Sequence, residues 1–309
     1  MGSFNKISNL YKSSAVVGLW TLLSRVMGFL RDILLASILG SGPVADAFLL
    51  AFRIPNLFRK FFAEGAFSAA FIPLLTDKNE NYGFKSGISF ISNIASILLI
   101  IVIPLIILAE IFMPSIVCLI APGFVGDIDR LELAIPYSRI IFPYLVFIIF
   151  TALFASALNT YGKFWSGAAA PVILNIFLIL TLIASLYIER DTGIIISWAV
   201  LFAGLCQMMF LAWANFRNGL SFSLSFPKID DDVKIFFKKF LPGAIGSGVT
   251  QINLLVASIF ASQIPGAISW LYYSDRVAQL PLGIIGIAIG TALLPNLARK
   301  ISLGQDKEQ

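Results

Sequence analysis

Residues 86–113 read SGISFISNIASILLIIVIPLIILAEIFM, a run in which Glu110 is the only acidic or basic side chain. A helix rises about 1.5 Å per residue, so roughly 20 apolar residues cross a hydrocarbon core about 30 Å thick. In lipid, every backbone N–H and C=O must find its partner within the protein, which makes a helix the form for so long an unbroken stretch. Working outward, seven more stretches bounded by polar or Gly/Pro-rich breaks meet the same requirement: 15–39, 44–75, 134–158, 167–188, 194–214, 238–262 and 267–298. The second and the last are long enough to tilt, bend or protrude. The composition agrees: of 309 residues 58% are hydrophobic and only 13% charged, with a mean hydropathy of +0.90. A water-soluble domain carries about 25% charged residues. The sequence therefore predicts an all-α polytopic membrane protein.

The same composition removes whole classes of function. There is no histidine, which excludes His-based acid/base chemistry and His metal sites. The two cysteines, Cys118 and Cys206, sit in unrelated surroundings and read as free thiols. The net charge of +5 is dispersed through apolar sequence without a basic tail or aromatic–basic patch, so nucleic acid is not an expected partner. Asp32, Asp46 and Asp275 are too scattered to suggest a Mg²⁺ site, and no catalytic residue, metal or cofactor is expected.

Charge asymmetry predicts orientation. The polar opening 1–14 leads into a full-length span without a plausible cleavage site, so the first span is expected to stay. With the N-terminus cytoplasmic, the cytoplasmic segments hold thirteen Lys and Arg, against Arg130, Arg139 and Arg190 on the opposite side. That bias places both termini in the cytoplasm. Residues 217–239 form the longest cytoplasmic connection, and Val233, Phe236, Phe237 and Phe240 in its second half follow the i, i+3, i+4, i+7 spacing of an amphipathic helix lying in the interface.

That connection reads as a linker between two lobes. Ala36-Ser37-Ile38, Arg53 and Pro73 have counterparts in Ala257-Ser258-Ile259, Arg276 and Pro295, at offsets of 221, 223 and 222 residues. The organisation expected is a six-helix N-terminal lobe (1–216), a linker (217–239) and the first two helices of a second, repeated lobe (240–309). Paired halves around a midplane site are a transporter architecture.

Six cations remain inside the spans: Arg25, Arg31, Arg53, Arg59, Lys60 and Arg276. Each costs on the order of 2.5 to 3.5 kcal/mol at the centre of a lipid-facing helix, so they are expected to face water or partners. Asp32, Asp46, Glu64 and Asp275 accompany them. At about 100° per residue, Asp46, Arg53, Lys60 and Glu64 fall on one stripe, and Arg25 and Asp32 on another. Such stripes suit a central cationic cavity; the alternative is snorkelling of Arg31, Arg59 and Lys60 with structural ion pairs elsewhere. An excess of Arg favours an anion, and its fork matches phosphate oxygens, which points to a phosphorylated or pyrophosphorylated substrate.

The segments Ser24-Arg25-Val26-Met27-Gly28-Phe29-Leu30-Arg31-Asp32, Asp46-Ala47-Phe48, Arg53-Ile54-Pro55-Asn56-Leu57-Phe58-Arg59-Lys60 and Ala63-Glu64-Gly65-Ala66-Phe67-Ser68 resemble the MurJ (MviN) family of lipid II flippases. Ala121-Pro122-Gly123-Phe124, Phe142-Pro143-Tyr144, Leu158-Asn159-Thr160 and Ser269-Trp270-Leu271-Tyr272-Tyr273-Ser274-Asp275-Arg276 extend the resemblance over residues 13–300. The resemblance implies membership of the multidrug/oligosaccharidyl-lipid/polysaccharide exporter superfamily and movement of lipid-linked peptidoglycan precursor to the outer leaflet of the bacterial inner membrane. It implies that Arg31, Asp32 and Arg276 lie in the cavity, the arginines holding the pyrophosphate. It also implies importance for Arg25, Asp46 and Arg59, a cation at Arg53, and a gating role for Glu64. The family has about fourteen spans against the eight read here, so the expected partners are lipid II, membrane lipids and either a missing C-terminal half or a second copy. A monovalent cation site is not supported by these residues. The competing readings are export of another polyprenyl-linked sugar or amphiphile, and a non-transporting scaffold.

Overall fold

The computed structural model describes the backbone of residues 2–63, 65–188, 191–224 and 226–279, and side chains within these ranges except at 2–14, 60–63 and 247–250. Ten complete α-helices follow one another among the described residues, the start of a further one is described over 267–279, and no strand occurs there. They are α1 (Gly2–Leu39), α2 (Pro43–Ala63), α3 (Ala66–Tyr82), α4 (Phe84–Ile111), α5 (Met113–Ile120), α6 (Ile128–Ile141), α7 (Tyr144–Thr160), α8 (Phe164–Ser185), α9 (Thr192–Arg217) and α10 (Asp231–Ala261). A 3-10 turn, Pro122–Phe124, lies between α5 and α6.

Among the described residues four segments are long and apolar enough to cross a membrane: α4, α6 with α7, α8 and α9; α10, bent by 43°, makes a fifth if it is one span. α4 shows how an all-apolar helix divides its faces. Ile91, Ile94, Leu98, Val102 and Ile106 are buried at helical spacing, whereas Ile100, Ile103, Ile107 and Ile111 are exposed on the side that suits lipid.

Two of the expected spans are broken. The stretch 44–75 divides into α2 and α3 at Gly65, whose φ of +129° is open to glycine but strained for other residues. The stretch 134–158 contains the end of α6 and most of α7, which part at Phe142-Pro143, where proline cannot donate the next helical hydrogen bond. α7 is the inner helix of the bundle and packs against α2, α3, α4, α8 and α9. Its Leu145, Leu153, Ala157 and Leu158 are fully buried.

The amphipathic segment is an extension of the seventh span, not a separate helix on the membrane surface. Asp230 caps α10 by accepting from the Val233 N–H at 3.0 Å. Phe236 then packs edge-on against Phe67 at 5.4 Å and Phe71 at 6.3 Å, and Phe240 also meets Phe67. Lys78 on α3 pairs with Asp232 at 2.5 Å, and Asn93 on α4 exchanges two hydrogen bonds with the Lys228 backbone. The aromatic stripe is thus buried in the bundle. The chain divides into two compact units, Met1–Ser269 and Trp270–Gln309, the second being helical where described, through 279.

Candidate functional site

On α1, Arg31 and Asp32 are 8% and 6% exposed. Adjacent helical residues diverge by about 100°, yet the long Arg31 side chain reaches back to its neighbour. Its Nε and Nη2 donate to Asp32 Oδ1 at 2.9 and 2.6 Å. Nη1 donates to Asn175 Oδ1 at 3.0 Å, and Asn175 Nδ2 donates to the Ser24 carbonyl at 3.0 Å. A buried charge pair is tolerated only when its remaining hydrogen-bonding capacity is also used, and Asn175 contributes to that. The sequence reading missed Asn175. The available signal was an amide inside the apolar run of α8, which must find a partner once buried.

Arg59 on α2 lines a cavity of about 400 Å³ inside the first unit, together with Tyr144, Thr151 and Ser156 of α7 and Gln207 of α9. Arg59 Nε donates to Asn56 Oδ1 at 3.2 Å. Tyr144 donates to Gln207 Oε1 at 3.3 Å, and Gln207 Nε2 donates to the Ala170 carbonyl at 2.8 Å. Ser68 and Ser156 share a hydrogen bond of 2.8 Å across the wall. The Thr151 hydroxyl is buried without a hydrogen-bond partner among the described residues. Tyr144 lies within electrostatic reach of both Arg59 and Arg31, so the two arginines act on one neighbourhood.

Asp46 and Arg53, two turns apart on α2, both engage α10 and the turn that follows it. Arg53 donates to Ser258 Oγ and, at 3.5 Å, to the Leu254 carbonyl. Asp46 is fully buried and accepts from the Gly266 N–H at 2.7 Å, the Ser269 N–H at 3.0 Å and the Ser269 hydroxyl at 2.5 Å. Arg130, read from sequence as an outer-loop charge, is instead 2% exposed, with Nη1 3.7 Å from Asp46 Oδ2. Its Nε donates to Asp127 at 2.7 Å, and hydrogen bonding from Arg130 holds the Asp127 carboxyl below its usual range.

The remaining expected site residues are each described by themselves or lie outside the description. Arg25 is exposed and does not share a buried face with Asp32. Glu64 and the side chain of Lys60 lie outside the described residues. Asp275 and Arg276 belong to the second unit, where Arg276 stacks over Tyr272 at 4.9 Å and donates to Gln279, which itself donates to Asp275.

The family model described as lipid II flippase MurJ matches residues 35–309. The chain belongs to the MurJ family. Relatives include the probable lipid II flippases MurJ of Rhizobium tropici, 41% identical over 304 residues, and Rhizobium meliloti, 43% identical over 305. Each comparison covers 97% of this chain and 57% of the relative, so the chain spans a little over half the length of these MurJ proteins. A structure of lipid II flippase MurJ in an inward closed conformation superposes with a TM-score of 0.78 at 27% identity, covering 95% of this chain and 60% of that one. An inward-facing multidrug transporter of the MATE family shares the fold alone, with a TM-score of 0.60 at 18% identity over 84% of this chain and 59% of its own. The protein is therefore an all-helical membrane protein of a transporter family rather than of a catalytic class.

Proposed function

We propose that this MurJ-family protein carries lipid II, the undecaprenyl-pyrophosphate-linked peptidoglycan precursor, from the cytoplasmic to the outer leaflet of the bacterial inner membrane by alternating access. The observation that carries the reading is a buried Arg31 fork, set by Asp32 and Asn175, in a chain with the family's pattern over nearly its whole length. A pyrophosphate presents the planar oxygen pairs that a guanidinium recognises, and a site away from bulk water strengthens the attraction. Arg31 holds the anion and Asp32 orients the arginine; Arg59 adds charge beside Tyr144 in the cavity lining. By the family resemblance, Arg25, Arg53 and Arg276 also serve the anionic substrate, with Lys60, Glu64 and Asp275 in supporting charge pairs or the gate. The remaining helices, or a second copy, complete the second lobe. Both termini face the cytoplasm in this reading, which the charge bias supports.

Closure over several cations is unfavourable until an anion neutralises them, so substrate binding favours the occluded state, and opening on the far side releases the head group while the tail stays in lipid. No bond is broken. The test uses bacteria depleted of their own flippase and supplied with this chain fused to the remaining helices of the Rhizobium tropici relative. Exposure of lipid II on the outer leaflet is expected to return, and Arg31→Gln to abolish it. An inserted fusion that leaves lipid II inside, or an Arg31→Gln fusion as active as its parent, overturns the proposal.

A further inference from the structure

Among the segments that carry the family resemblance, Ala121-Pro122-Gly123-Phe124 has no part in the cavity described above. In the fold it lies against the far end of α10. Gly123 donates its N–H to Ser262 Oγ at 3.0 Å, and a Cβ on Gly123 would lie 2.2 Å from the Ser262 carbonyl oxygen. Only a glycine lets the two backbones meet this closely. Arg130, in the first turn of α6, donates through Nη1 to that same carbonyl at 3.0 Å, and its guanidinium stacks on Phe124 at 4.6 Å.

The charges match the helix ends they meet. Ser262 is the C-cap of α10, where unsatisfied carbonyls gather partial negative charge, and Arg130 brings a cation to it. Three residues on, the chain turns and a new helical stretch begins at 267. Its first N–H groups carry partial positive charge, and Asp46 accepts from two backbone N–H groups there, those of Gly266 and Ser269. The Arg130–Asp46 pair thus spans the end of one helix and the start of the next, each charge facing the end that stabilises it.

We propose that Arg130 and Gly123 form a latch that holds the outer end of α10 against the first lobe, and that releasing it is the step that opens the outer face. The inference rests on the alternating-access reading for its purpose, but not for its geometry. The directional part of the grip is polar: the Gly123 and Arg130 hydrogen bonds to Ser262 are strong only while water is excluded and weaken once water enters. The opposite end of α10 is held by Phe236 and Phe240 buried among Phe67 and Phe71, with the Lys78–Asp232 pair beside them. Arg130 is therefore a positioning residue that sets which face is shut, and it does not touch the transported head group.

The test measures pulsed electron-spin distances in the 309-residue chain reconstituted in lipid, with Cys118 and Cys206 replaced by serine. Labels at Asp129 and Gln263 report the latch, and labels at Tyr82 and Ile229 report the opposite end as a control. One short latch distance is expected in the parent. Arg130→Gln and, independently, Gly123→Ala are expected to raise a second, longer population roughly tenfold or more, the loss of a charge-assisted hydrogen bond setting the scale. The control distance is expected to stay unchanged, and Arg130→Lys to restore most of the short population. If Arg130→Gln fails to insert, Gly123→Ala and the milder Ser262→Ala carry the test. An unchanged latch distance in folded variants, or equal broadening at both ends, overturns the latch. Because no substrate is present, a fusion that fails to export lipid II refutes the proposed function without touching this result.

Discussion

Replacing Asn175 by leucine is expected to destabilise the first lobe by at least about 1 kcal/mol. The amide accepts from Arg31 at 3.0 Å and donates to the Ser24 carbonyl at 3.0 Å, tying α8 to two successive turns of α1. A hydrogen bond to a charged group contributes about 1.5 to 3 kcal/mol and a neutral one about 0.5 to 1.5 kcal/mol, for a gross loss of roughly 2 to 4.5 kcal/mol. Leucine returns part of this through apolar burial, on the order of 1.5 to 3 kcal/mol if fully buried. The return is incomplete, because Gly28 would stand 3.6 Å from the amide nitrogen with an added Cβ, so α1 already lies close and the new methyls crowd it. It also removes one acceptor from the buried Arg31 guanidinium. Reversible unfolding in lipid–detergent micelles measures the difference. Combining Asn175→Leu with Asp32→Asn completes a double-mutant cycle, and a coupling of at least about 0.5 kcal/mol is expected, since both partners hold one guanidinium. An Asn175→Leu chain within about 0.5 kcal/mol of the parent, or strict additivity in the cycle, refutes the claim that Asn175 positions Arg31.

Thr151→Val should leave the fold intact or stabilise it by about 1 kcal/mol, since it removes a buried hydroxyl without a partner among the described residues; the same unfolding experiment shows this, and a clear loss of stability would mean that the hydroxyl is satisfied. At the other end of the lobe, the hydrogen bond that Lys78 donates to Asp232 raises the pKa of Lys78 above 10.5. The pair's contribution is complete below the ordinary lysine value and is lost as pH rises through the raised one. Trypsin cleavage at Lys228 and Lys234 should therefore be faster in Asp232→Asn than in the parent at pH 8, and unchanged rates would show that the pair does not hold the linker.

The apolar stretches were legible because span length and hydropathy are local properties, readable without knowing what lies beside them. Where the spans break was less so. Gly65 and Phe142-Pro143 carry signals in hindsight, but glycine and proline recur through the chain, and only the path of the backbone shows which of them interrupt a helix. The stripe of Val233, Phe236, Phe237 and Phe240 was recognised as amphipathic, yet periodicity cannot tell burial against Phe67 from burial in lipid, since both environments are apolar.

Composition and order by themselves determined that the chain is helical, resides in a membrane and carries the family pattern around Arg31 and Asp32, because lipid requires long apolar helices and makes every intramembrane charge conspicuous. Only the tertiary structure decided which charges meet. Arg31 finds Asn175 across 144 residues, and Asp46 finds Ser269 across 223. Arg130, indistinguishable in sequence from an exposed loop cation, is buried because the end of α10 comes to rest on Gly123. Partners so distant in the chain leave no periodic trace, since their pairing depends on how the helices pack and not on what lies a turn away.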